Sequence, residues 1–514
     1  MPEYLAPGVY IEEIEIGAKP IEGVSTSTAG FLGPTERGPT NPRLVTNFGN
    51  FQTMYGGFVE GSYLAYGVEG FFRNGGKRCF VGRIIGSGAA TSTATLTRTE
   101  GAETTDVIDI TVVGSGKWGN NVAMIVEDAT LYKEENGLFK LTVMYWKNMV
   151  TPEEATPTDE QWVEAQEDNP PNIIEIYDNL SPKENSSDFY EKQINDISSL
   201  IEVEKKADGR PDTDVTIKLS GGSPGQAVKL SDYEGSTDTG HKTGLAAFEE
   251  VDDISIVCVP DENSITGLTD SIISHCENMK DRFAILQSAQ SAGPISTLVP
   301  PKDSKYAAFY YPWIQVMDPA TNIPKLVPPG GHMAGVYARS DTERGVHKAP
   351  ANEIVRGAQK LQFPLTKSEQ DILNPKGVNC IRAFKGRGIR VWGARTTSSD
   401  PLWKYLNVRR LFLYLEESID HGTQWVVFEP NNEKLWARVK QSVSQFLTTV
   451  WRDGALMGLT PEEAFFVKCD RSTMTQADLD NGKLIVIIGV APVKPAEFVI
   501  FRIAQWAGGS APTE

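Results

Sequence analysis

From Asp252 onward, apolar runs of strand length alternate with stretches that repeat at helical spacing, and few architectures accommodate that alternation. Ile254–Val259 reads as a strand ending in Pro260–Asp261. Ile265, Leu268, Ile272 or Ile273, Cys276 and Met279 then fall on one helical face. Phe283–Leu286 gives a second strand and Ala307–Val316 a third. Parallel strands joined by helices need cover on both faces, so this region predicts a mostly parallel α/β sheet.

The C-terminal part predicts an α+β domain. Asp400 and Pro401 read as N-cap and first residue of a helix carrying Leu402, Leu406, Leu411, Leu415 and Ile419, with Gly422 past its end. Trp425–Phe428 reads as a strand. A second helix aligns Leu435, Val439, Val443, Phe446, Leu447 and Val450 on one face and stops at Gly454. Thr460–Glu463 carries a capping box with Pro461 at the first helical position. Lys483–Val490 and Glu497–Ala504 read as strands that Pro492 and Pro495 keep apart.

Before Asp252 the pattern is different. Val9–Ile16 is a β-type run between Pro7–Gly8 and Gly17. Ala29–Gly33 predicts a short strand, Ser62–Asn74 an apolar helix ended by Gly75–Gly76, and Arg78–Arg83 a buried strand. From Ser87 a Gly/Ala/Thr linker leads to short strands at Val107–Val113, Asn121–Glu127, Leu138–Trp146, Ile173–Tyr177 and Val215–Leu219. Thr151–Pro171 is acidic, holds four prolines and reads as an exposed loop. The whole stretch predicts a β-rich inserted domain.

Composition excludes some functions. The 514 residues exceed what one core usually supports, so several domains are expected. A net charge of −18 disfavours general nucleic-acid binding. The first residues lack the basic and apolar regions of a Sec signal, and the apolar run Leu484–Val490 is too short to cross a bilayer, so synthesis in a reducing cytoplasm without membrane insertion is expected. Cys79, Cys258, Cys276, Cys380 and Cys469 are scattered, which supports neither a disulfide framework nor a zinc site; Cys258 reads as a small buried hydrophobe on a strand. His275 reads as a surface residue, and His332 sits at a helix start after Pro328–Gly331. Gly221–Gly225 is read as departing from nucleophile-elbow spacing, and Pro224 obstructs the helix that such an elbow around Ser223 requires. Gly86–Gly88 and Gly114–Gly116 lack the third glycine of a dinucleotide loop and read as hinges. Arg387, Arg390 and Arg395 suit an anion or an ion pair with another subunit. No nucleophile, base and orienting group assemble, so no catalytic, metal or cofactor residues are assigned.

Several ordered stretches resemble the tail sheath proteins of contractile bacteriophages and related contractile injection systems. They are Tyr4–Glu13, Pro328–Arg339 with Asp341, Arg344–Gly345 and Lys348–Asn352, then Gly386–Thr396, Gln424–Asn431, Trp451–Leu456 and Ala491–Phe498. The resemblance covers both ends and the second half of the chain. It implies a structural subunit that polymerises helically around an inner tube and contracts from a metastable extended state. It also implies terminal arms that each add a strand to a neighbour's sheet. The arms would be Val9, Tyr10, Ile11, Glu12, Ile14 and Ile16 at one end, and Phe498, Val499, Ile500, Phe501, Arg502 and Ile503 at the other. The residues themselves agree with this, because a β-forming segment set apart by Gly or Pro at a terminus is an aggregation hazard unless another chain pairs it.

The resulting division is an N-terminal arm at 1–20, part of the core at 21–86, the insertion at 87–231, facing outward, an α/β domain at 232–380, an α+β domain at 381–490 and a C-terminal arm at 491–514. Implied partners are further copies of the chain, an inner tube protein, baseplate and cap proteins and sheath paralogues, within a phage-tail-like particle. Lys434, Arg438, Lys440 and Arg452 on the second C-terminal helix are the candidate tube-facing residues. A non-polymerising adhesion module, with dispensable termini, and an α/β hydrolase depending on His332 or Arg395 are the competing readings.

Overall fold

A computed structural model describes residues 20–500 apart from 153 and 155. The described chain forms two compact units. The larger comprises Ser25–Glu343 and Pro350–Lys404; the smaller comprises 20–24, Arg344–Ala349 and 405–500.

The larger unit is built on an eight-stranded sheet. Its strands, in chain order, are β1 (Ala29–Gly33), β2 (Arg43–Val45), β3 (Cys79–Arg83), β4 (Ile256–Cys258), β5 (Phe283–Gln287), β6 (Ala307–Tyr311), β7 (Val378–Phe384) and β8 (Gly388–Trp392). Their spatial order is β8-β7-β6-β5-β4-β1-β3-β2. The six inner strands run parallel, and β2 and β8 close the edges antiparallel. β1, β4, β5 and β6 are buried at every position, as strands covered on both faces must be. The mostly parallel sheet expected after Asp252 is therefore present. It also recruits β1 and β3 from before the insertion and the β7–β8 hairpin from after residue 380, which itself lies within β7. The apolar run at 307–316 is two strands: β6 ends at Tyr311, and Ile314–Met317 joins a separate three-stranded sheet.

Helices α1 (Phe48–Tyr55), α2 (Leu64–Arg73), α3 (Leu268–Met279) and α4 (Gly330–Arg344) belong to this unit. α2 packs on β1 through an edge-on Phe31–Phe71 pair. α2 and α4 meet backbone to backbone because their facing positions are glycines. A Cβ on Gly331 would stand 2.2 Å from the Gly67 carbonyl oxygen, and one on Gly335 2.4 Å from that of Phe71. At the ends of β4 and β5 a buried polar hub ties these layers together. Asp261 accepts hydrogen bonds from the Tyr63 N–H and the Ser62 hydroxyl at the start of α2. Glu262 accepts from the Gln287 N–H, while the Gln287 amide donates to the Val259 carbonyl and accepts from the Gly330 N–H. Burial drives the Asp261 carboxyl up to about 6 and that of Glu262 up to about 8.

The insertion has its own core around Val107, Ile110, Phe139, Leu141 and Val203. A three-stranded sheet (Thr93–Glu100, Glu103–Val112, Ile201–Lys205) accompanies a four-stranded one ordered Val215–Lys218, Val122–Asp128, Phe139–Tyr145, Ile173–Leu180. Two expectations need correction. The segment read as a linker contains the strand Thr93–Glu100, whose polar residues alternate on an exposed face. The acidic segment contains a helix, Asp159–Glu164, started by a capping box between Thr158 and Gln161.

In the smaller unit, α5 (Leu406–Thr423) and α6 (Glu433–Arg452) pack with a two-stranded sheet, β9 (Phe465–Lys468) and β10 (Ile487–Val490). α6 follows its prediction: Asn432 caps it, and its six aligned apolar residues are all buried. α5 does not. It begins at Leu406, and Asp400 instead holds the Leu402 N–H in the preceding turn. Gly422 lies inside α5, where any Cβ would meet Ile21 at 2.6 Å. Trp425–Phe428 forms no strand; Gln424–Val426 is a 3-10 turn. Thr460 caps its short helix without a side-chain bond, and Glu463 reaches back to the Leu459 N–H instead.

Gly335→Ala should destabilise the larger unit by about 1–3 kcal/mol through overpacking, read as a lower urea midpoint. Glu262→Gln tests the hub. A carboxyl whose pKa is raised on folding stabilises fully below its ordinary pKa, and that stability is lost as pH rises towards the folded value, here a window from 4.5 to about 8. Across that window the urea midpoint of the wild type should fall more steeply than that of Glu262→Gln; parallel profiles would show that Glu262 is ionised in the folded chain.

Candidate assembly surfaces

The residues weighed for chemistry are built into the structure. His275 is buried, not on the surface as expected. Its Nε2 lies 3.4 Å from the Arg282 guanidinium, which also binds Asp281 and the Phe248 carbonyl. Burial holds its pKa down to about 4. His332 is buried in the first turn of α4 against Gly70, and burial drives its pKa down to about 3. Contrary to expectation, Ser223 does stand in Gly-x-Ser-x-Gly spacing, yet it sits in a bridge to Ala90 and the next helix begins only at Leu230. Arg395 is buried and donates to the Asn374 carbonyl. All five cysteines are buried free thiols, Cys258 on β4 as expected.

The exposed chemistry of the smaller unit is different in kind. Among the described residues β9 and β10 pair only with each other, so each has an outer edge with no described strand beside it. Phe466 is 57% exposed and covers Gly489 of the opposite strand, where a Cβ would meet its ring at 2.2 Å. After β10 the chain bonds back to Ala455 and Met457 and forms no further strand through residue 500. Phe498, Val499 and Ile500 are 71%, 69% and 78% exposed, three successive β-prone side chains whose backbone pairs with no strand among the described residues. The expected strand at Glu497–Ala504 is thus not formed within the described part. Phe501, Arg502 and Ile503 lie outside the described residues, as do Val9, Tyr10, Ile11, Glu12, Ile14 and Ile16.

The four candidate cations of α6 separate into two groups. At 3.6 residues per turn, Lys434, Arg438 and Arg452 fall on one face with Gln441 and Gln445 between them, and that face carries no acid. Arg438 lies over the Trp425 ring at 4.6 Å. Lys440 sits about 120° away, beside Asp470. Sequence reasoning missed the open β9–β10 edges, because a pattern can indicate a strand but not whether both its edges are paired. It also missed the Asp261–Glu262–Gln287 hub, which only the fold brings together.

Among the described residues the smaller unit thus presents two strand edges with no strand beside them and an exposed β-prone segment at Phe498–Ile500. Comparison with known proteins identifies the group. Residues 234–397 match the phage tail sheath protein central domain and residues 398–505 the phage tail sheath C-terminal domain. Together these models cover more than half of the chain, and the chain belongs to the phage tail sheath family. It is 28% identical over 211 residues to the tail sheath protein of Burkholderia phage BcepMu, an alignment covering 39% of this chain and 43% of that one. It is 21% identical over 306 residues to that of Enterobacteria phage T4, covering 59% and 43%. The chain thus spans about half or less of the length of the curated relatives it matches. Its fold is that of the sheath of an extracellular contractile injection system, PVC, in the contracted state (TM-score 0.60, 22% identity, 99% of each chain covered). A sheath tail protein from Listeria innocua shares it too, with TM-score 0.59, 12% identity and 92% and 97% covered.

Proposed function

We propose that this chain is the structural subunit of a contractile sheath, polymerising helically around an inner tube and driving that tube through a target envelope as the sheath shortens. What supports this reading is the presence, within one unit of a sheath-family chain, of a two-stranded sheet with no third strand among the described residues and an exposed β-prone segment at Phe498–Ile500. Strand addition across subunits satisfies both features at once. The tail of one copy, and the segment Val9–Ile16 of another, extend the β9–β10 sheet of a neighbour. Such a contact joins two different surfaces, so it propagates as a helix instead of closing a dimer.

Contraction on this scheme is a rearrangement of interfaces. Buried, close-packed units move nearly as rigid bodies while the arms bend and stay paired, and the free energy resides in contacts between subunits. The inner tube meets the face of α6 that carries Lys434, Arg438 and Arg452. Baseplate and cap proteins, and sheath paralogues, are the other partners. No helix among the described residues is long and apolar enough to cross a membrane. The insertion at 87–231 faces outward.

Negative-stain electron microscopy of the intact chain, alone and co-expressed with a tube protein, should show helical tubes that disappear when residues 1–16 are removed. Discrete particles from both chains, even with the tube present, would refute strand exchange. Charge reversal of Lys434 and Arg438 together should abolish tube-dependent assembly, whereas Lys440→Glu should leave it intact. Equal behaviour of the two variants would remove α6 as the tube-facing element.

A further inference from the structure

Charge in this chain is segregated into blocks. From 148 to 182 the sequence holds nine Asp and Glu and no Lys or Arg; from 372 to 399 it holds six Lys and Arg and no Asp or Glu. The acidic block lies in the insertion, and the basic block centres on the β7–β8 hairpin. Over 87–231 as a whole, 26 acids face 12 bases, so the insertion carries −14 of the chain's net −18.

The hairpin displays its cations. Lys385 and Arg387 are exposed at the turn, with Arg382 and Arg390 on the strands below them. Phe384 and Trp392 pack at 4.5 Å, and Arg387 lies 5.6 Å and 5.8 Å from their rings, with Arg382 5.3 Å from Phe384. Arg390 donates to the Asn352 carbonyl, and Arg387 spends one donor on the Asn352 side chain. Among the described residues no carboxylate pairs with any of the four. Two planar guanidinium groups are thus held against aromatic faces with most donors unused, an arrangement suited to carboxylates.

The complementary surface is on the insertion. Glu160, Glu164, Glu167 and Asp168, on and just after the Asp159–Glu164 helix, are exposed and have no ion-pair partner among the described residues. The two surfaces cannot meet through the sheet of one subunit by the shortest route. The hairpin forms one edge of the sheet, and the insertion springs from β3 near the other. Six inter-strand steps place these roots roughly 30 Å apart. The insertion is fixed at its own end, where Arg83 donates to the Ser115 carbonyl and the Tyr145 hydroxyl to Glu36.

We infer that the β7–β8 hairpin of one copy docks on the acidic helix segment of the inserted domain of a second copy. The inference rests on the sheath reading and supplies a contact outside the terminal arms. Because the basic and acidic surfaces are at opposite ends of one sheet, the contact is head-to-tail and repeats along an assembly. The like-charged insertions of neighbouring copies repel, so the contact also lowers the electrostatic cost of packing them.

A charge-swap experiment tests this on the full chain. Lys385→Glu with Arg387→Glu, and separately Glu164→Lys with Glu167→Lys, should each raise the concentration needed for sheath assembly on the order of tenfold. All four substitutions in one chain should bring it back towards the wild-type value. All four positions are exposed, so the variants should keep a cooperative native melt, and that melt excludes loss of folding as an explanation even though Arg387→Glu gives up its ring and Asn352 contacts. Wild-type assembly by both pair variants, or a four-fold variant no better than either, would overturn the contact while leaving the sheath reading standing. Absence of tubes from the wild type with its tube partner present would overturn both.

Discussion

Backbone N–H and C=O groups must find partners, and this chain meets that demand in two opposite ways. In the larger unit the demand is met internally. β1 pairs with β3 on one side and with β4 on the other, although the insertion separates those two strands by more than 170 residues. That pairing completes a parallel sheet buried on both faces, and the glycine-to-backbone approach of α2 and α4 follows from the cover such a sheet requires. In the smaller unit the described residues supply only one partner strand for each of β9 and β10. Two strands alone are marginal in water, and here they survive by packing on α6.

This difference separates what is rigid from what is available. The polar hub of Asp261, Glu262 and Gln287 has no exposed surface with which to bind a substrate; it positions the ends of β4 and β5 and the starts of α2 and α4. His275 and His332 are held neutral by burial and serve the packing around them. The unpaired edges, the exposed tail, the basic face of α6 and the segregated charge blocks are all surface features. The proposed sheath role calls for that division, with rigid interiors and surfaces left for contacts between copies.

Much of this was legible in the sequence where a pattern has one physical cause. α6 shows a single apolar stripe between an Asn cap and a stopping glycine, and it forms as read. The parallel sheet was legible because fully apolar runs alternate with helical ones. Thr93–Glu100 was not, since a strand whose only fully buried residue is Leu96 has a linker's composition. Trp425–Phe428 misled because a short apolar run carries no period. Asp400 did cap backbone, but of a turn, and Gly422 belongs to a helix because Ile21 leaves no room for a side chain there. His275 resembled a surface residue until tertiary structure placed Arg282 beside it. Edge pairing was not legible at all, because it depends on which strands lie beside one another.

If strands from other subunits complete the β9–β10 sheet, the outer edges that lack a partner among the described residues become paired on assembly. Hydrogen–deuterium exchange of 465–468 and 487–490, compared between the soluble chain and the assembled sheath, tests it most directly. The account predicts that outward-facing amides exchange quickly in the soluble chain and become strongly protected on assembly, while those paired between β9 and β10 change little. Assembly that leaves the outward-facing amides exchanging as in the soluble chain would contradict it.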